Sequence, residues 1–356
     1  MKIISIHTYL QKLPLTKPYT IAYKTIDETE IIFLEIELEN GIVGFGASNP
    51  FPEVVGETPE ITYQNLQSDV VRELIGQDIR NFHELIVQMN NQFLNLPGTQ
   101  AAIDIALHDA FGQFSKKSIL DIYGQKVKPL PTSITIGIKD THAMLEEAQE
   151  YYARGFRILK VKTGADVTED IERIQKLRES FGNKITIRVD ANQGYDLAQI
   201  KTFIHQTAKL KIELIEQPLP VAKDDQLNLL NEDDRKYLVA DESLLNSEST
   251  VKLAQDPKPY GVFNIKLMKC GGIIESRRIA KIAQNANISL FWGCNDESIV
   301  SISAALQAAY SCENTKFLDL DGSFDIVEKI FEGGFSINEG FMYPNGLPGL
   351  GIRKRK

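Results

Sequence analysis

Eight short apolar runs follow one another at intervals of 24 to 28 residues, and that rhythm limits the architecture more than any other feature of the chain. They are TSITIGI (132–138), FRILKVKTG (156–164), KITIRVDAN (184–192), KIELIEQPL (211–219), YLVADES (237–243), GVFNIKLMK (261–269), ISLFWGC (288–294) and KFLDLDG (316–322). Stretches of helical period separate them, such as DTHAMLEEAQEYYARG, where Met144, Leu145, Ala148, Tyr151 and Tyr152 share one face. Strand, helix and strand at this spacing is a right-handed βαβ crossover, and eight strands so joined close into a parallel barrel. An open doubly wound sheet is the rival. Against it, no glycine-rich phosphate turn follows the first run, and polar residues end nearly all eight.

The segments on either side of the barrel read differently. IIFLEIELENGIVGFGAS carries an Asn40-Gly41 turn between two strand-like runs, which predicts a hairpin. Gly44 and Gly46 lie inside that hairpin with no helix following, so they do not read as a phosphate loop. The helix expected over GTQAAIDIALHDAFGQF (98–114) has Ala101, Ala102, Ala106 and Ala110 for close packing, and His108 on it reads as structural. The last thirty residues, rich in Gly and Pro, predict short antiparallel strands folding back on the N-terminal region. The expectation is a (β/α)7β TIM-like barrel of the α/β class at 126–322. An α+β capping domain is formed by residues 1–125 and the returning segment 323–356.

Composition narrows the function classes. With 43% hydrophobic and 24% charged residues and no low-complexity tract, the chain reads as folded throughout. A formal charge of −9 argues against nucleic acid or an anionic membrane as the main partner. The tail RKRK (353–356) reads as a short solvated terminus. Three cysteines, Cys270, Cys294 and Cys312, show no metal or disulfide spacing, which fits a reducing compartment. The N-terminal apolar residues are interrupted by His7, Gln11 and Lys12, unlike a signal peptide, and no apolar run approaches the roughly 18 residues of a membrane span. A cytoplasmic location is expected. Self-association is left open, because no interface patch can be read from the sequence.

The strand ends carry the chemistry. In order they present Lys160 and Lys162, then Asp190, Glu216, Asp241 and Lys266, and finally Asp319 and Asp321. Strand C-termini ring the mouth of a (β/α) barrel, where active sites are built. Any one of these charges could simply reach solvent. Three carboxylates on consecutive strand ends are together costly without a cation, and a site of oxygen donors alone favours Mg²⁺. Such an ion bound to a substrate carboxylate stabilises the dianion that forms when a proton leaves the adjacent carbon.

Lys160 and Lys162 are two apart on a strand and share a face. A lysine with its ordinary pKa of about 10.4 is a poor base, and a neighbouring ammonium lowers that value. Lys160 is therefore expected to tune Lys162, which transfers the proton, although two lysines reaching outward from a strand end would look the same. Lys266, across the barrel, supplies a second base, and two lysines on opposite faces of a carbon can invert it.

The motifs KVK, VDAN, IEQP, ADES and IKLMKCGG resemble those of the muconate-lactonising-enzyme subgroup of the enolase superfamily, with similarity over nearly the whole chain. The resemblance implies Mg²⁺ held by Asp190, Glu216 and Asp241, with Lys162 and Lys266 as the acid/base pair. FLDLDG resembles the Asp-x-Asp of dipeptide epimerases, including those acting on L-Ala-D/L-Glu, and implies that Asp319 and Asp321 bind the free ammonium of a dipeptide. In the Ala-Glu epimerases an arginine after the first strand binds the glutamate side chain, and here AYKTI presents Lys24, a point charge without the bidentate fork. GCNDES adds Asp296 and Glu297, which would repel an acidic side chain if they faced the pocket. Thr135, at the first barrel strand, is a further candidate contact. The expected reaction is Mg²⁺-dependent epimerisation of the C-terminal residue of L-Ala-Xaa dipeptides by two-base proton transfer, broad in Xaa. A cycloisomerase or o-succinylbenzoate synthase-type lyase on the same scaffold is the alternative. A Schiff-base aldolase using Lys162 and a non-catalytic carboxylate-binding barrel are remoter readings.

Overall fold

A computed structural model describes residues 1–22, 24–327 and 330–355. The chain opens with three antiparallel strands, β1 (Ile3–Thr20), β2 (Thr25–Leu38) and β3 (Val43–Ser48). The β2–β3 connection is the expected hairpin, with Gly41 at φ 82° in its turn. Strand alternation sends the two faces of β2 into different cores. Ile31 and Phe33 pack with the barrel and the C-terminal residues, whereas Ile32, Leu34 and Ile36 pack with the N-terminal helices.

The helix Pro97–Ser115 lies against β3 and contributes to both cores, Ala101 and Ile105 to one and Ala102, Ala106 and Leu107 to the other. Its small residues meet small residues. A Cβ at Gly46 would sit 2.0 Å from the Ala102 carbonyl oxygen, and one at Gly44 would sit 2.5 Å from that of Ala106. The glycine pair thus serves backbone approach between strand and helix. His108 is structural: its Nδ1 lies 2.8 Å from the Asp104 carbonyl oxygen and its Nε2 2.7 Å from the Tyr123 hydroxyl.

The eight apolar runs form eight parallel strands: β4 (Ile134–Ile136), β5 (Ile158–Lys162), β6 (Thr186–Asp190), β7 (Ile212–Glu216), β8 (Leu238–Ala240), β9 (Val262–Ile265), β10 (Ser289–Trp292) and β11 (Thr315–Leu318). Each pairs with its sequence neighbours, so the order runs from β4 to β11 without a crossover. The sheet curls until its edges meet at a parallel bridge between Thr132 and Leu318, where Ser133 N–H donates to the Leu318 carbonyl at 3.0 Å. Seven helical crossovers join the eight strands, giving the (β/α)7β barrel that the spacing predicts.

Period-two alternation divides the barrel residues. Leu159, Val161, Ile187, Val189, Ile215, Leu238, Phe263 and Leu290 pack in the large core with the outer helices. Leu214, Val239, Val262 and Phe291 form a separate cluster with Phe317, and the Arg188 guanidinium lies 5.2 Å from both phenyl rings. Two residues beyond these inner positions, on the same parity, stand Asp190, Glu216, Asp241 and Asp319.

The C-terminal residues form two hairpin-like pairs, β12 (Phe331–Gly333) with β15 (Ile352–Lys354) and β13 (Phe335–Asn338) with β14 (Phe341–Pro344). The ring of Phe331 packs 5.3 Å from that of Phe33 and 5.0 Å from that of Phe45. Asp109 accepts hydrogen bonds from the backbone of Phe45 and Leu350, tying helix, β3 and C-terminal residues at one buried carboxyl, which burial pushes up to about 7. The basic tail is not simply solvated: Arg353 pairs with Glu332 at 2.6 Å and Lys354 with Glu35 at 2.6 Å, while Lys356 lies outside the described residues. Among the described residues, no helix is long and apolar enough to cross a membrane.

Candidate active site

Asp190 ends β6, Glu216 ends β7, and Asp241 follows β8. All three are buried, and one oxygen from each lies within 4.8 Å of the others. The residues that follow two of them leave the extended conformation abruptly, with Asn192 at φ 41° and Gln217 at φ 32°. These left-handed turns end the strands and fold the next side chains back over the site. Gln217 Oε1 accepts from Asp241 N–H at 3.0 Å and Ser243 N–H at 3.2 Å, fixing the neighbouring strand end.

Four lysines surround the carboxylates. The Lys160 Nζ lies 2.8 Å from Glu216, 3.1 Å from Asp190 and 2.7 Å from Asp319. Lys162, on the same face of β5, donates to Asp190 Oδ2 at 2.7 Å and Asn192 Oδ1 at 3.0 Å. Lys266, directly after β9, donates to Asp241 Oδ2 at 2.9 Å, and Lys269 donates to the other oxygen of Asp241. Strands β5 and β9 are separated by three strands, so Lys162 and Lys266 approach from different sides of the curled sheet.

Lys160 is surrounded by counter-charges as well as by its lysine neighbour. Burial works against a charged Lys160, but Asp319, Glu216 and Asp190 hold it firmly protonated. Its positive charge is offset at short range, and Asp190 accepts from both lysines of the pair. The Lys160 ammonium thus lies between carboxylates at the ends of β6 and β7 and just after β11. Burial also opposes the charge on Lys266, yet Asp241 raises it above the ordinary lysine range. Burial and the adjacent Asp190 push Glu216 up, whereas Lys162 and Lys160 overcome burial to keep Asp190 below the usual carboxylate range.

The residues present fit a hard divalent cation. Asp190, Glu216 and Asp241 offer oxygen alone, without histidine or cysteine, a donor set suited to Mg²⁺. Two buried oxygens close by lack hydrogen-bond partners, Glu242 Oε2 beside Asp241 and Oδ1 of Asn264, whose amide donates to Glu216 at 2.8 Å. Burial, followed by the charges of Asp241 and Asp190, pushes Glu242 upward. The two unpartnered oxygens, one carboxyl and one amide, leave acceptor capacity beside the carboxylate cluster that a cation can use.

A cavity of about 280 Å³ opens above these groups, on the scale of a small molecule. Asp319, Asp321, Thr135, Lys24 and Asp296 all line it, as do Lys160, Lys162 and Lys266. Asp319 is bound to Lys160 and accepts from Ser133 Oγ at 2.5 Å, so it also supports the interior of the barrel. Asp321 accepts from the backbone N–H of Thr135 at 2.7 Å; Thr135 thereby orients a carboxylate of the end wall. Burial and the charge of Asp319 raise Asp321. Asp296 faces the cavity and accepts from the Tyr19 hydroxyl at 2.9 Å, while Glu297 is turned away, buried, and accepts from Asn295 N–H at 2.8 Å. Lys24 points its ammonium at Glu53, 2.6 Å away.

Several participants were within quoted motifs yet not singled out. Asn192 in VDAN and Lys269 in IKLMKCGG touch the acidic cluster or its lysines, and Glu242 in ADES accepts from Asn192. Their signal was adjacency to a motif residue. Asn264 lies inside β9 on the parity of Lys266, and its amide in an otherwise apolar strand was the available clue.

Two family models match the chain: "Mandelate racemase / muconate lactonizing enzyme, N-terminal domain" over residues 3–124 and "Enolase C-terminal domain-like" over 143–355. An L-Lys-D/L-Arg epimerase of Desulforapulum autotrophicum is 46% identical over 99% of this chain and 100% of its own. An L-Ala-D/L-Glu epimerase of Bacillus subtilis is 30% identical over 99% of this chain and 97% of its own. Among solved structures, a dipeptide epimerase from Methylococcus capsulatus complexed with Mg and the dipeptide L-Arg-D-Lys superposes with a TM-score of 0.97. It is 43% identical and covers 99% of both chains.

Proposed function

Because the chain belongs to the mandelate racemase / muconate lactonizing enzyme family of the enolase superfamily, whose relatives described above are dipeptide epimerases, we propose that it is a Mg²⁺-dependent dipeptide epimerase with a preference for cationic dipeptides. It is an isomerase, and inversion at the α-carbon of the C-terminal residue is its reaction. This reading departs from the L-Ala-Xaa range expected from the sequence, because a dipeptide such as L-Lys-L-Arg carries no N-terminal alanine.

The charge balance of the cavity supports the cationic preference. Every lysine that lines it has a carboxylate partner within ion-pair distance: Lys17 with Glu150, Lys24 with Glu53, Lys160 and Lys162 with Asp190, and Lys266 and Lys269 with Asp241. Among the described residues, the lining carboxylates Glu28, Asp296, Asp321 and Asp325 have no lysine or arginine partner in return. The cavity therefore carries surplus negative charge, which favours substrates bearing extra ammonium or guanidinium groups.

Asp190, Glu216 and Asp241 would hold the ion, which when bound acts as a Lewis acid toward the substrate carboxylate and acidifies the adjacent C–H. Lys162 and Lys266, each hydrogen-bonded to one of those carboxylates, line the cavity from different sides. One lysine takes the α-proton from its side and the other, protonated, returns a proton on the opposite side, which inverts the carbon. Lys160 anchors the triad to Asp319. Asp321, oriented by Thr135, receives the N-terminal ammonium of the dipeptide, and Asp296 the cationic side chain. In this division of labour residues 126–322 supply the acid/base and metal groups. Residues 1–125, with the returning 323–356, close the cavity through Lys24 and its neighbours.

The test is a competition between L-Lys-L-Arg, L-Ala-L-Val and L-Ala-L-Glu with Mg²⁺, followed by chiral chromatography. Epimerisation with the order cationic, neutral, acidic is expected; the reverse order would remove the charge argument, and no epimerisation of any dipeptide would remove the function.

A further inference from the structure

Of the six lysines that line the cavity, four belong to the carboxylate cluster and Lys17 is held by Glu150; the sixth, Lys24, likewise takes no part in the acid/base groups. It occupies the turn between Thr20 and Thr25, which are paired across β1 and β2, and the turn is closed by Ile21 N–H donating to the Lys24 carbonyl at 2.9 Å. An ammonium there would ordinarily reach inward and attract an acidic side chain. Instead it lies 4.1 Å from the centroid of the Phe51 ring and 2.6 Å from Glu53 Oε1. Pro50, Phe51 and Pro52 line the cavity, whereas Glu53 is not among its lining residues. Glu53 stands on the single turn of helix Pro52–Val55, next to the lining residue Pro52, and pairs with Lys24 from there.

We propose that Glu53 is a specificity-determining residue that acts through Lys24. By taking up the Lys24 ammonium it neutralises a lining cation, so that dipeptides with acidic side chains lose a partner and the surplus of carboxylates is left to cationic ones. Burial alone would raise Glu53, and the hydrogen bond and charge of Lys24 reverse this to leave it below the ordinary carboxylate range, in keeping with a formed pair. Both side chains are partly exposed, 33% for Lys24 and 45% for Glu53, so the pair tilts selectivity and does not set it alone.

This inference rests on the dipeptide reading and is tested by a ratio. For Glu53→Gln, kcat/KM on L-Ala-L-Glu divided by that on L-Lys-L-Arg rises about fivefold at low salt, the scale of one exposed ion pair. The rise shrinks at high salt as the freed charge is screened. Glu53→Ala gives the same direction, and the double variant Glu53→Gln with Lys24→Gln returns the ratio to the starting value because the gain requires the ammonium. An unchanged ratio in either single variant, or an equal loss on both dipeptides, would overturn the role of Glu53. Failure of the unsubstituted protein to epimerise any dipeptide would instead overturn the reading beneath it.

Discussion

The Lys160 ammonium lies 2.7 Å from Asp319 Oδ2 and 2.8 Å from Glu216, so one buried cation joins the acidic triad to the end wall of the cavity. The two aspartates of Asp-x-Asp therefore have different duties. Asp319→Asn leaves Lys160 with one fewer counter-charge in a buried setting. Breaking a buried pair costs about 3 kcal/mol or more, and a fall in Tm of roughly 5 °C is expected by calorimetry. Asp321→Asn touches no buried lysine and keeps Tm within about 2 °C, but removes a charge-assisted bond to the substrate ammonium and raises KM about tenfold or more. The opposite assignment of the two effects would contradict this division.

Substrate recognition should depend on pH through Asp296. Burial pushes this carboxyl up to about 6, despite the hydrogen bond from Tyr19. Below that pH the group is neutral and above it is charged. KM for a cationic dipeptide accordingly falls more steeply as pH rises from 5 to 7 than KM for L-Ala-L-Val, which shares only the raised Asp321 as its ammonium partner. Steady-state kinetics on both substrates, with Asp296→Asn as the control that erases the difference, checks the assignment. Parallel profiles for the two dipeptides would refute it.

Cation binding should stabilise the fold because Asp190, Glu216 and Asp241 are buried together at the ends of adjacent strands. A ligand that binds only the folded state at about a hundredfold over its Kd contributes about 2.7 kcal/mol. Thermal unfolding with Mg²⁺ is therefore expected at a higher Tm than with chelator at matched ionic strength. Asp241→Asn should lose most of that increment. An increment equal in the variant and the unsubstituted protein would place the ion elsewhere.

The barrel was legible because its two signals are local: the apolar run recurs at a crossover's interval, and inside each run the parity separates core residues from those facing the axis. Asp190, Glu216, Asp241 and Lys266 follow from the same parity at strand ends. Lys269 breaks it, because the chain turns into the short helix Leu267–Cys270 directly after Lys266 and a three-residue step returns the side chain to Asp241. The environment of Lys160 depends on carboxylates from three other strand ends, so its like-charge neighbour was visible while its counter-charges were not assigned to it. The capture of Lys24 by Glu53 joins two loops, and local periodicity has no access to such a pairing.

Two-base inversion is tested most directly by α-proton exchange of each epimer of L-Lys-Arg in D₂O with Mg²⁺, followed by proton NMR for the unsubstituted protein and for Lys162→Ala and Lys266→Ala. The expected result is exchange with inversion in the unsubstituted protein. Each variant should lose inversion by on the order of a hundredfold or more, and retain exchange with one epimer only, the opposite one in the two variants. Inversion at an undiminished rate in either variant would contradict the pairing of Lys162 with Lys266.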